Sequence, residues 1–562
     1  MRDKNETTKI LEEKENQPSR SRSSSLKPCI EESEIQSSKK LQENHIYPKY
    51  TKKELYVIVG SLCLVLFLAS LDSTIVSTSL PTIANQLNSL SLMPWVITSN
   101  MLCATAVQPI FGKMSDVFGS KEVILFSILV FESSSLLSGL TNSMNMLIFS
   151  RGLTGIGRAG ISVMAQIVIS EIIPIDERGK YTGLFSMTFG VASIIGPLIG
   201  GIFTDKVSWR WCFFINIPLG IIASIGIIFL VKTPKATGDF KEKMKRIDFI
   251  GIILIVFGLI ATLLGLNWGS SNYGWKSILV IVLLSTGILI LVLFVFYEKN
   301  YAKEPLIPMN LFKIRNVSAM IGIMFFIRFA MLGIIYYMPV YYSVVYRSSA
   351  TMVGVSLLPL VISWVACSMT SGYLISKTGY YRVFLRIGTF TLLAGSFVAI
   401  FLLKNKNKEI QIVHLFISGI GLGLCMQAMI ICIQASVKRE YVALSTSLLY
   451  FSRALSGAVS ISLISAVLST SLSRYLSEFS RKYPEYKEIA ENSKQNTDGI
   501  YKDSVPNIVK NAVIDAYIKS IQNVFKFLAV VLVISFVLSL ITQHFPIKDI
   551  NIKKETEKKD VA

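Results

Sequence analysis

The sequence predicts an all-α integral membrane protein with about fourteen spanning helices, and three observations carry that prediction. Of 562 residues, 52% are hydrophobic and only 16% charged, with a mean hydropathy of +0.54, a balance that belongs to a polytopic membrane protein rather than a soluble fold. Apolar runs recur along the chain at the length a spanning helix needs, roughly 20 residues at 1.5 Å per residue. Lys and Arg gather between alternate runs, as they do where loops stay on the cytosolic side. The net charge of +20 does not point to nucleic acid, because the basic residues are scattered between apolar runs and in the tails.

Residues 1–54 form a polar tail with almost no apolar clustering, expected to be disordered and cytosolic. The first apolar run starts near Leu55, too late and too long for the h-region of a cleavable signal peptide. Within the tail, RSRSSSL at 20–26 reads as a phosphorylation patch or a solvated stretch, and Glu6 followed by Ile10 and Leu11 looks like an acidic dileucine sorting signal for endosomal or vacuolar delivery. Spans are then expected near 55–80, 93–114, 121–141, 145–171, 180–204, 211–232, 247–267, 276–297, 316–343, 351–375, 383–403, 411–434, 442–470 and 523–545. With the amino terminus cytosolic, the inside loops hold Lys113, Lys121, Arg178, Lys180, a cluster from Lys232 to Arg246, Lys313, Arg315, Lys377, Arg382, Lys438 and Arg439, so both tails are placed in the cytosol. The stretch 471–522 is expected to face the lumen or exterior as a soluble, partly helical loop.

The stretch from Arg151 to Gly201 is read as the working centre. Gly152, Gly155, Gly157 and Gly160, then Gly190, Gly196, Gly200 and Gly201, recur at spacings that put small residues on faces where other helices approach closely. Gly196-Pro197 in mid-span is tolerable only where neighbours re-satisfy the backbone. Arg151 and Arg158 are costly in a membrane unless they face a cavity or a partner. In the first span Asp72 must take a proton, pair with a cation, line a watery cavity, or bond to Ser73, Thr74 or the backbone. Glu132 poses the same question in the third span. Arg328 lies near Tyr336, Tyr337, Tyr341 and Tyr342, where a functional cation and simple aromatic packing are both open. Gln427 and Gln434, seven apart, share one helix face, with Gln427 leaning to a cavity. The seven cysteines have no paired spacing, and His45, His414 and His544 form no metal-ligand pattern, so neither a metal site, a cofactor nor an enzymatic constellation is expected.

Between the second and third spans, GKMSDVFGSK carries Gly112, Asp116, Gly119 and Lys121, and these match the cytosolic loop motif of the major facilitator superfamily, with Ser120 in place of the usual basic residue. In that loop Asp116 would cap a helix and pair with basic groups while the glycines permit the tight turn, a gating contact. Arg151, Gly155 and Gly157 match the family's fourth-helix motif, whose Arg is implicated in proton coupling. Gly190, Gly196, Pro197, Gly200 and Gly201 resemble its fifth-helix antiporter motif. WRWCFFINIPLG, from Trp209 to Gly220, and Arg453 with Gly457 resemble the fourteen-span drug:proton antiporter branch. The resemblance implies a major facilitator fold, with six-helix bundles over 55–232 and 316–545, two inserted helices and linkers over 233–315, and a second cytosolic tail over 546–562.

Within that branch the pattern looks most like the vacuolar basic amino acid transporters of yeast. This implies a monomeric antiporter in the vacuolar membrane that exchanges Lys, Arg or His for protons, with the proton gradient in place of any cofactor. Asp72, Arg151 and Glu132 would couple protons to substrate, and Arg158, Arg328, Gln427 and Arg453 would line the cavity. Arg158 would either repel a cationic substrate or neutralise a carboxylate such as Asp72 or Glu132. A cationic substrate and a proton would compete for Asp72 as the two halves rock. A plasma-membrane multidrug exporter shares every one of these motifs, and a non-transporting nutrient receptor would bind without flux.

Overall fold

The computed structural model describes residues 50–89, 92–233, 240–270, 273–348, 350–405, 408–492, 501 and 505–547. The expected tail up to Lys49, with RSRSSSL and the Glu6, Ile10, Leu11 pattern, lies outside the described residues, as do 548–562. Among the described residues the chain is helical, without strands, and thirteen of its helices are long and apolar enough to cross a membrane.

Helix α1 (Lys52–Gln86) starts from a capping box, in which the Glu54 N–H donates to Thr51 Oγ1 at 3.3 Å and the Thr51 N–H to Glu54 Oε2 at 2.8 Å. The expected span 93–114 is broken into α2 (Met93–Val107) and α3 (Ile110–Phe118), because Pro109 has no N–H to continue the ladder. Of the two, α2 is a shorter apolar helix and neither is by itself long enough to cross. Gly119, at φ +99°, turns the chain into α4 (Ser120–Leu140), a conformation open to glycine. The first half is completed by α5 (Met144–Ile172), α6 (Ile175–Lys206), α7 (Trp211–Phe214) and α8 (Asn216–Leu230).

A short α9 (Phe240–Lys245) leads to the inserted pair α10 (Phe249–Ser270) and α11 (Ile278–Asn300), packed on each other at Gly258 against Leu291 and Gly265 against Leu284. The pair touches α2, where Trp95 and Trp268 meet edge to face at 5.8 Å. The second half consists of α12 (Arg315–Tyr346), α13 (Ala350–Ser356), α14 (Leu358–Thr378), α15 (Tyr381–Leu402), α16 (Lys408–Ala435), α17 (Val442–Lys482), α18 (Lys487–Asn492) and α19 (Asn507–Ile541). Apolar residues such as Ile222, Val292, Phe390 and Val530 remain on the outside, as they must where the neighbour is lipid.

Two boundaries differ from the sequence reading. Helix α17 runs on past Thr470 to Lys482, and α19 begins at Asn507 rather than near Asn523, so much of the stretch 471–522 is helical. Val509, Val513, Tyr517, Ile521 and Val524 place an apolar stripe on one face of α19 and are buried, a pattern that polar Lys510, Asn511 and Lys519 on the other face hide from a hydropathy window.

The chain ends of the bundle meet at one pole. Tyr50 Oη donates to the Lys232 carbonyl at 3.0 Å, and Asn316 Nδ2 donates to the Gln543 carbonyl at 2.8 Å. This pole carries the Lys- and Arg-rich turns and is called the basic end below. Here the two halves touch. The backbones of α6 and α14 cross so closely at Gly179 and Gly372 that a Cβ on either would strike the other's carbonyl oxygen. Ser447 Oγ of α17 donates to the Gln108 carbonyl at 2.8 Å, and Arg178 Nη1 of α6 donates to Gln434 Oε1 of α16 at 3.0 Å.

Candidate functional site

The candidate site is built up from the basic end as a floor, a middle layer and one buried ion pair. Gln427 of α16 makes the floor. Its Nε2 donates to the Thr182 carbonyl at 3.2 Å, Ser186 Oγ at 2.9 Å and Ser368 Oγ at 2.8 Å, so it ties α6 of one half to α14 and α16 of the other. Of the two readings of Gln427, helix tie and cavity group, its donor side serves the first through this inter-half contact, while its Oε1 is buried without a partner. Gln434 lies nearer the basic end, accepting from Arg178 and donating to Thr446 Oγ1 at 3.2 Å.

Above the floor, Phe189 of α6 and Trp364 of α14 meet across the halves at a centroid distance of 5.3 Å. The Arg453 guanidinium lies 5.8 Å from the Phe189 ring and 6.0 Å from the Tyr450 ring. Arg158 and Arg328 share this layer. Counted at 1.5 Å per residue from the basic ends of α5, α12 and α17, Arg158, Arg328 and Arg453 stand roughly 17–21 Å deep, near mid-membrane. Each is half-buried and keeps part of its surface open.

Asp72 and Arg151 are brought together. Arg151 Nη1 donates to Asp72 Oδ1 at 2.7 Å and Oδ2 at 2.9 Å, with Asp72 fully buried and Arg151 3% exposed. Asn100 Nδ2 donates to the Arg151 carbonyl at 3.2 Å, and the guanidinium lies 5.8 Å from the Phe213 ring. Ser73 and Thr74 bond instead to backbone carbonyls of Ala69, Ser70, Leu71 and Ala192, so the carboxylate is held by the cation and not by its hydroxyl neighbours. A closed pair of this kind is stable while both partners stay, and removing one leaves a costly buried charge.

Glu132 is not part of that pair. Its carboxylate packs against Gly220 of α8, where a Cβ would collide with it, and neither oxygen has a hydrogen-bond partner among the described residues. Arg158 forms no ion pair with Asp72 or Glu132, because Arg151 already occupies Asp72. Arg328 does not stack on the nearby tyrosines. Its Nη1 lies 2.8 Å from Met331 Sδ, while Tyr341, Tyr342 and Tyr346 pack on one another and Tyr341 Oη donates to the Leu403 carbonyl at 2.8 Å.

In the loop motif, Gly112 packs on α17, where an added Cβ would sit 2.8 Å from Ser447 Cβ. Asp116 is exposed on α3 and caps no helix, a correction to the expected role, and it forms no ion pair among the described residues. Its basic neighbours are engaged elsewhere: Lys113 Nζ pairs with Glu304 at 2.8 Å and Arg246 Nε pairs with the same carboxylate at 3.1 Å. Lys121 Nζ donates to the Ile228 carbonyl at 2.6 Å near the end of α8. In the antiporter motif, Gly196 lies against Thr74 and Gly200 against Ile75 and Thr78, which brings α6 onto the Asp72 region of α1. Gly190 faces Val365 of α14, Pro197 lies inside α6, and Gly201 faces open space, so the close-approach reading fails for Gly201. Phe189, Trp364 and Asn100 were missed by the sequence reading, which placed Phe213 only within the WRWCFFINIPLG stretch. The one local cue was Trp364, a lone indole in mid-span.

Known proteins bear on this architecture as follows. The model of the Major Facilitator Superfamily matches residues 62–461. The MFS-type efflux pump MFS1 of Arthroderma benhamiae is 34% identical over 75% of this chain and 78% of its own length. The efflux pump aflT of Aspergillus parasiticus is 31% identical over 75% of this chain and 83% of its own, and the multidrug transporter protein MdtP of Bacillus subtilis 33% over 75% and 76%. The human organic anion transporter MFSD10 (TETRAN) shares the fold at a TM-score of 0.56, covering 86% of this chain and 99% of that one, at 11% identity that speaks for fold alone. These names describe efflux and multidrug transport and none speaks of amino acids. With thirteen helices among the described residues long and apolar enough to cross a membrane, two halves joined at the basic end and a family model that matches residues 62–461, the chain belongs to the major facilitator superfamily.

Proposed function

We propose that this transporter is a proton-energised exporter of the fourteen-span drug:proton antiporter kind, working as a monomer by alternating access. The basic end is the cytosolic side, with both tails there, and the conformation described is closed to the cytosol. Asp72 with Arg151 is the proton switch. A proton on Asp72 removes the charge that holds Arg151, and release of that buried contact biases the packing of α1 against α5 and α6, where Gly196 and Gly200 let the helices slide. The observation that carries this reading is the fully buried Asp72–Arg151 pair, which by helix rise stands roughly 30 Å from the basic end, beyond the arginine layer, supported by relatives named as efflux pumps. Glu132, unpartnered beside α8, is a second proton carrier in this scheme.

Export across the plasma membrane is the leading reading over vacuolar uptake of Lys, Arg and His. The two share every structural element, but the relatives' names favour efflux, and Asp72 offers no exposed surface for a cationic substrate to claim. The full-length protein reconstituted in proteoliposomes, given a pH gradient and labelled ethidium, lysine, arginine and naphthalene-2-sulfonate in turn, tests this. Protein-dependent accumulation of at least one compound, abolished by a protonophore, is expected. No accumulation of any, with the protein shown to be folded and inserted, would overturn it.

A further inference from the structure

Once Asp72 and Arg151 have neutralised each other, the middle layer holds Arg158, Arg328 and Arg453 on three different helices, and none of the three has a carboxylate partner among the described residues. Arg328 and Arg453 lie on helices tied together within two turns of them, where Ser452 Oγ donates to the Ile321 carbonyl at 2.7 Å and Ser456 Oγ to the Phe325 carbonyl at 2.5 Å, and α5, which carries Arg158, packs on α17. Mutual repulsion of like charges away from bulk water is unfavourable unless an opposite charge joins them. In this layer Arg158 Nε, Arg328 Nε and Trp364 Nε1 are buried without an acceptor, while in the floor beneath it Gln427 Oε1 is buried without a donor. The Arg453 guanidinium stands among rings, facing Phe189, which meets Trp364, and Tyr450.

We propose that this layer is the substrate site and that it takes an organic anion, an aromatic or apolar body carrying a carboxylate or sulfonate. The inference rests on the transporter reading above for its assignment as a transport site, and on this chain's own arginines for its chemistry. Guanidinium groups are matched to such oxyanions by charge and by their planar fork of donors, and the Phe189–Trp364 contact that spans the two halves supplies a face for the body of the ligand. A Lys or Arg substrate would add a fourth cation here, so the expected basic amino acid cargo is the least compatible with this layer. Because the anion site is distinct from the Asp72 carboxylate, proton and substrate occupy different groups, and exchange is enforced by the conformational cycle and not by competition for one carboxylate.

The test uses the full-length protein in nanodiscs of uncharged lipid, with binding of naphthalene-2-sulfonate, 2-naphthylmethanol and 2-naphthylmethylammonium measured by calorimetry in chloride-free and chloride-containing buffer. The sulfonate is expected to bind at least about ten-fold more tightly than the alcohol and the ammonium to bind weakest. Arg158→Gln, Arg328→Gln and Arg453→Gln should each erase most of the sulfonate's advantage while Arg328→Lys keeps part of it, with melting temperatures showing that the variants fold. Ammonium binding equal to or tighter than the sulfonate, sulfonate affinity unchanged in all three Gln variants, or displacement of the sulfonate by chloride with no preference for the aromatic body would each overturn the proposal. If an intact pH gradient drives ethidium or lysine while the sulfonate does not bind, the anion site falls and the exporter stands. If the sulfonate binds but a gradient moves no compound, the anion site stands and the exporter falls.

Discussion

Asp72 shows how a residue can be legible in kind and not in detail. A carboxylate inside an apolar span demands a proton or a cation, and the demand is visible in the sequence. Its partner is seventy-nine positions away, and only the packing of α1 on α5 selects Arg151 from the several intramembrane arginines. Arg151→Leu is expected to lower stability by about 3–5 kcal/mol by leaving the carboxylate uncompensated, and Asp72→Leu combined with Arg151→Leu to recover most of that loss. Melting in detergent, compared across the two variants and the parent, decides it. Equal destabilisation by both would mean that the pair is not the source. Gln427 shows the opposite case: an amide on an apolar helix reads equally as ligand group or inter-helix tie, and the choice depends on Thr182, Ser186 and Ser368, which periodicity cannot bring together.

At the scale of elements, the contact between α6 and α14 is the part that must part and rejoin in an alternating cycle. The Cβ of Gly372→Val would meet the Gly179 carbonyl, which opposes closure at the basic end without disturbing either half by itself. The transport rate of that variant should fall by about ten-fold or more, a shift worth about 1.4 kcal/mol in the closed population, with melting near that of the parent; a parental rate would mean that this end does not close during turnover. The Glu304 contact with Lys113 and Arg246 adds a pH-sensitive strap on the same pole. Burial pushes the Glu304 carboxyl up, but the Lys113 and Arg246 cations outweigh it and hold the group below the usual carboxylate range. A lowered value means the contact contributes at neutral pH and is lost as pH falls through that lowered value. A spin-label distance across Lys113 and Glu304 flanks should lengthen only in strong acid, and lengthening near neutrality would contradict the assignment. Most elements were legible because twenty-residue apolar runs admit few readings. The break at Pro109 and the early start of α19 were not, since one depends on a turn inside an apolar run and the other on a half-polar helix whose buried stripe is amphipathic.

For the molecule as a whole, the series of spans follows from length and apolarity, and the division into two halves with an inserted pair from the family resemblance, whereas the contents of the central layer follow from neither. Arg158, Arg328 and Arg453 lie almost three hundred positions apart at the extremes and share a depth only because α5, α12 and α17 cross the bundle together. If anions leave while protons enter, both movements carry positive charge inward, and a membrane potential negative inside adds to the driving force. The measurement that reaches furthest is pH-gradient-driven accumulation of naphthalene-2-sulfonate in proteoliposomes by the parent and by Asp72→Asn, beside exchange of the same compound at equal pH on both sides. Gradient-driven accumulation should fall by about ten-fold or more in the variant while exchange at equal pH persists, because Asn accepts a hydrogen bond from Arg151 but takes up no proton. Full gradient-driven accumulation by Asp72→Asn would contradict the role of this carboxylate as the proton switch.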